Sequence, residues 1–65
     1  MNIFKARLTR AVKHAENEDA ESCATELMKA AQDIEGINEK RMAKWMLESC
    51  ERRCREKLGI KTPLG

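Results

Sequence analysis

Apolar side chains recur along this chain at intervals of three and four, and show no sustained alternation with polar ones at period two. Phe4, Leu8, Ala11, Val12 and Ala15 form one stripe. Ala20, Cys23, Ala24, Leu27, Ala31 and Ile34 form a second, and Ala43, Met46, Leu47, Cys50, Cys54 and Leu58 a third. Positions three and four apart share one face of a helix, so each stripe marks an amphipathic helix. The pattern predicts an all-α chain with helices over about residues 3–15, 18–34 and 38–58.

The third helix has the clearest ends. Gly36 is suited to the left-handed conformation that closes a helix, Asn38 to the N-cap that opens the next, and Glu39 to its first turn, where the helix dipole favours an acid. At the far end Arg52, Arg53, Arg55 and Lys57 crowd the last turns, Gly59 follows Leu58, and Pro63 stands beyond. Ile60 is placed to fold back on the last turn as the contact that accompanies a glycine cap. Residues 1–60 thus read as a single helical domain and residues 61–65 as a flexible tail.

The first half leaves two readings open. On a wheel of about 100° per residue, the first two stripes are offset by about 120°. A straight helix would show them to different neighbours. Either the chain breaks within residues 14–19, with Asn17 as N-cap and Glu18 and Asp19 in the new first turn, or one bent helix runs through. No Gly or Pro stands there to force the break. The fold class is therefore a helical hairpin or a three-helix unit.

Composition changes the picture in one respect. Five Leu, four Ile, one Val and one Phe make 11 of 65 residues, or 17%. That is below the level of about 20% that usually sustains a core, although the net charge is only +2. A short chain also buries a small fraction of its surface. A second copy would supply the missing burial, so the helices are expected to dimerise into a bundle. The plan is similar to that of small plasmid-encoded regulators built as a helical hairpin that dimerises into a four-helix bundle. That similarity covers size and layout and extends to no residue motif.

Charge is segregated along the chain. Residues 1–15 carry four basic and no acidic side chains, residues 16–36 seven acids and one lysine, and residues 37–65 eight basic and four acidic side chains. Basic helices are thereby able to lie against an acidic one, within the chain or across a dimer. Lys5, Arg7, Arg10 and Lys13 are the candidate nucleic-acid contacts, because no acid in their own segment neutralises them. The sequence pI near 8.6 is modest for that role. Residues 1–15 also have the basic, amphipathic character of a transit peptide or a membrane-surface helix, but removing them would leave too little chain for a core.

Candidate chemistry is sparse. Cys50 and Cys54 lie one turn apart, and with Cys23 and His14 they would number four zinc ligands. The spacing is not that of a zinc knuckle, and the cysteines sit inside apolar stripes, where free cysteine packs as a small hydrophobe. No metal or cofactor is expected. No nucleophile–base arrangement and no glycine-rich phosphate loop is present, so the chain is expected not to be an enzyme. The odd cysteine count and the absence of an apolar signal segment after Met1 suggest a reducing cytoplasm. No stretch approaches the 18 apolar residues of a membrane span.

Met42, Trp45 and Met46 are the most informative cluster. They are neighbours at i, i+3 and i+4, and the first two lie off the third stripe, widening the apolar arc beyond what one neighbouring helix would cover. Tryptophan is enriched at binding hot spots and methionine adapts to varied partners. The expected function is that of a small interaction or regulatory protein that self-associates and binds another protein through these residues, of the kind found among phage, prophage and plasmid accessory proteins. The alternative is a nucleic-acid-binding regulator using the basic first helix.

Overall fold

The computed structural model describes residues 2–64. These residues form three α-helices: α1, Asn2–Glu16, α2, Ala20–Asp33, and α3, Lys40–Leu58. A single 3-10 turn, Ile34–Gly36, follows α2. There is no strand among the described residues, and no helix there is long and apolar enough to cross a membrane. Of the two readings of the first half, the break is the one the structure adopts.

That break is made without glycine or proline. Glu18 takes a left-handed φ of 60°. Its N–H donates to Ala15 O at 3.0 Å, and Asp19 N–H donates to His14 O at 2.9 Å. These two bonds are the Schellman closure of a helix end. The same closure ends α3, where Gly59 has φ 69° and Ile60 N–H reaches Arg55 O at 2.9 Å. A side chain in the left-handed region costs about 1–2 kcal/mol. The chain accepts this cost at Glu18 because Asp19 then caps α2, its carboxylate accepting from Ser22 N at 3.1 Å. The cap is therefore Asp19 and not the expected Asn17.

Two further local expectations are corrected. Gly36 does not take a left-handed turn; α2 instead tightens into the 3-10 turn, where Ile37 N–H donates to Ile34 O at 3.0 Å. Both isoleucines are buried, so packing rather than glycine chemistry ends the helix. The N-cap of α3 is Glu39, with no side-chain cap bond, in place of Asn38. Lys40 secures this corner, its ammonium donating to the carbonyls of Glu35 and Ile37.

The helices run up, down and up. Arg7 pairs with Asp33 and Arg10 with Glu26, so α1 and α2 are antiparallel. Cys50 lies against Leu8 O and Lys57 against Glu16, so α1 and α3 advance together. The core lies between all three helices. Phe4, Leu8, Leu27, Ile34 and Ile37 are its large members; Ala11, Ala15, Cys23, Ala30, Ala43 and Cys54 are the rest. More than half of the core residues are thus small. Small side chains let helix axes approach closely, which shrinks the volume that bulky residues would otherwise have to fill. The Cα radius of gyration is 10.9 Å, against about 10.7 Å for a compact chain of this length. A scarcity of bulky residues is met here by small ones at the helix contacts.

On α2 the inward register also differs from the expected stripe. Ala30 is fully buried and Ala31 is exposed. In the segment expected as a flexible tail, residues 61–64 form no helix, yet Leu64 packs against the core and its N–H donates to Glu51 at 2.8 Å. Gly65 lies outside the described residues.

This register makes a sharp test. Ala30→Leu is expected to destabilise the fold by about 1–3 kcal/mol through overpacking. Ala31→Leu, one position on, is expected to change stability by no more than about 0.5 kcal/mol. Urea unfolding of the two variants followed by circular dichroism compares them directly.

Candidate interaction surface

α3 is long enough to present two faces. Ala43, Leu47, Cys50 and Cys54 turn inward, while Met42 and Trp45 sit about a third of a turn or more away, on the outside. Trp45 is 63% exposed and Met42 52%. Met46, the third member of the cluster, is half-buried and packs on the edge of the core. The three residues are therefore adjacent but not equivalent: Met46 anchors the helix, and Met42 with Trp45 faces out.

Trp45 stands where two concavities meet. On one side is a shallow depression of about 830 Å³ over residues 38–42 at the start of α3. On the other is a groove of about 330 Å³ between α1 and α3, with Leu8, Val12, Met46 and Cys50 in its floor and walls. Thr9 and Ser49 also line this groove, and Arg53 stands at its far end. Beyond Arg53 it continues past Lys13 to Glu16, which Lys57 engages at 3.5 Å. Thr9 and Ser49 carried no signal of a groove in the sequence, where Arg53 stood out only as one of the basic residues that crowd the end of the third helix. Val12 belonged to the first stripe, and its place at the stripe's edge was the available hint that it borders a groove.

Two of the four basic residues of α1 are engaged by acids of α2. Arg7 Nε lies 2.6 Å from the Asp33 carboxylate, and Arg10 Nε lies 2.6 Å from Glu26. Arg7 Nη1 reaches the other Glu26 oxygen at 3.7 Å. Basic α1 thus spends two of its cations on acidic α2 within the chain. Lys5 and Lys13 are exposed and make no ion pair among the described residues. The bond from the Arg10 guanidinium, more than any other influence, holds the Glu26 carboxyl below the ordinary carboxylate range. The hydrogen bond from Ser22 does the same for Asp19.

The cysteines pack together. Cys23 and Cys54 are fully buried and Cys50 is half-buried beside them. Burial, reinforced by Cys54, pushes the Cys23 and Cys50 thiols up to about 12. Such thiols are poor nucleophiles and poor metal ligands, because both roles need the thiolate. No group of three His, Cys, Asp or Glu side chains among the described residues is placed to hold a metal ion. His14 sits at the end of α1, 3.9 Å from Asp19.

Comparison with family models, with curated proteins and with solved structures finds no match to this chain.

Two titrations follow from this geometry. The Glu26 pairs contribute fully above the ordinary glutamate pKa and lose their contribution as the pH falls through the depressed folded value. Wild-type stability is therefore expected to decline below about pH 4.5, and Glu26→Gln to be less stable at pH 7 with a flatter acid limb, read from melts across pH 2.5–7. The thiols act in the opposite sense. Raised folded values mean that stability is complete below pH 9 and is lost above it, as the unfolded chain ionises first. At pH 8, a disulfide-exchange reagent is expected to label Cys23 and Cys54 at least about tenfold faster in denaturant than in the native protein.

Proposed function

We propose that this chain is a small non-enzymatic interaction protein whose working surface is the outward face of α3 around Trp45. The observation that carries this reading is the exposure of Trp45 and Met42, 63% and 52%, on one side of a long helix closed at its end by Gly59. A large aromatic left in water costs roughly 1.5–3 kcal/mol of burial that the fold forgoes. Trp45 could be replaced by a polar residue with no loss to the core, so its presence is best accounted for by contact with something outside the chain. Its partners on this reading are a second copy of the chain and another protein, met in a reducing cytoplasm.

Nucleic acid is the weaker reading. Its basic segment has already given Arg7 and Arg10 to acidic α2, which leaves Lys5 and Lys13 as the α1 cations open to a phosphate. Two phosphate contacts give little affinity at physiological salt.

Trp45→Ala is expected to leave the unfolding free energy of the isolated chain in urea within about 0.5 kcal/mol of the parent, because the side chain adds little to the core. It is expected to weaken self-association, or capture of a partner from the host, by about tenfold or more. Sedimentation equilibrium over a concentration series and a paired pull-down make the measurement. Identical behaviour of parent and variant in both would remove the proposal.

A further inference from the structure

The three helices pack against one another. The groove running from Trp45 to Arg53 lies between α1 and α3 and is lined by no residue of α2. The middle of this groove is lined by short side chains, Thr9 and Ser49, where a fourth helix would come closest. The Thr9 hydroxyl already donates to Lys5 O at 3.1 Å, so it asks nothing of an occupant. Leu8, Val12 and Met46 give an apolar floor, and Trp45 closes one end as a wall with a large free ring. From Trp45 to Arg53 is eight residues of helix, about 12 Å, which matches just over two turns of an incoming helix.

Charge decides what kind of helix fits. At the Arg53 end stand Arg53 and Lys13, both exposed and neither in an ion pair among the described residues. The one acid there, Glu16, is engaged by Lys57. Across Trp45, in the neighbouring depression, Arg41 stands beside Glu39, while the Lys40 ammonium is taken up by the carbonyls of Glu35 and Ile37. A second copy seated symmetrically would bring the same basic rim against itself, because a two-fold interface pairs each patch with its own image. A helix with an apolar stripe flanked by Asp and Glu meets the floor and the rim together.

We infer that the α1–α3 groove is a docking site for an acidic amphipathic helix of another protein, seated as the fourth helix of the bundle. This inference rests on the reading of the Trp45 face as a binding surface and specifies its occupant. The helix runs antiparallel to α1 and α3, lays its apolar stripe on Val12, Met46 and Trp45, and places its carboxylates beside Lys13 and Arg53.

The test uses the full chain and its single tryptophan, with no tyrosine to interfere. Two synthetic 14-residue helical peptides share a leucine stripe at i, i+3 and i+7; one carries Glu at the flanking positions, the other Lys. Titration is followed by Trp45 fluorescence at low and high salt. The acidic peptide is expected to shift the emission to the blue, to bind at least about tenfold tighter than its basic twin, and to lose that advantage at high salt. In the double variant Lys13→Glu/Arg53→Glu, the preference of the two peptides is expected to invert. Both positions are exposed, so a wild-type melt in the variant confirms that the fold is kept.

Equal binding of the two peptides, or no saturable shift with either, overturns the inference. So does tighter binding of a 20-nucleotide single strand than of the acidic peptide. A blue shift that grows with protein concentration alone also overturns it, by showing that a second copy fills the groove; that result would leave the proposed function standing. Loss of the proposed function itself is read separately, from the sedimentation and pull-down of Trp45→Ala.

Discussion

Close approach of three helices through small side chains is the constraint on which this structure depends. Ala11, Ala30, Ala43, Cys23 and Cys54 have no exposed surface, and Ala15 has almost none. Where such residues meet, the backbones come near and little volume is left to fill. Phe4, Leu8, Leu27, Ile34 and Ile37 then suffice as the bulky members. The same packing explains why the Cys23 and Cys50 thiols resist ionisation: burial among the helices leaves a thiolate short of water. The core consequently reads as cysteine-bearing in sequence and as chemically quiet in structure.

Charge follows the packing. Acidic α2 lies beside basic α1, and the two are joined by Arg7 and Arg10 on Asp33 and Glu26. These pairs are partly exposed, and surface pairs contribute little stability individually. Their larger effect is on register and partner choice, since the opposite pairing of helices would set like charges together. With α2 taking its share of the cations, most of the basic groups without an ion pair among the described residues fall on the outer surface of α1 and α3, Lys13 and Arg53 among them; Lys29 of α2 and Lys61 beyond α3 are the others. Apolar floor and basic rim come together in that groove as a by-product of how the other seam is satisfied.

The turns show how much local chemistry yields to packing. The α1–α2 break is made at Glu18, a residue that pays to occupy the left-handed region, while Gly36, which would occupy it freely, does not. Asp19 captures Ser22 N–H and so defines the start of α2; the equally suitable Asn17 and Asn38 cap nothing. Each choice keeps a buried side chain in place: Ala15 and Cys23 on either side of the first turn, and Ile34 and Ile37 across the second.

The amino-acid pattern alone determined the helical class, the three stripes, the Gly59 terminus and the place of Met42 and Trp45 off the third stripe, because these depend on the 100° repeat of a helix and on residues near in sequence; that Met42 and Trp45 face outward was decided by the packing. It also carried the segregation of charge that makes α1 and α2 partners. Only the tertiary structure decided that the chain breaks at Glu18, that Ala30 rather than Ala31 turns inward, that Leu64 docks, and that Thr9, Val12, Ser49 and Arg53 border one groove. Each of these depends on which helix lies opposite, and that is set by contacts between residues tens of positions apart, where a one-dimensional pattern has no register to read.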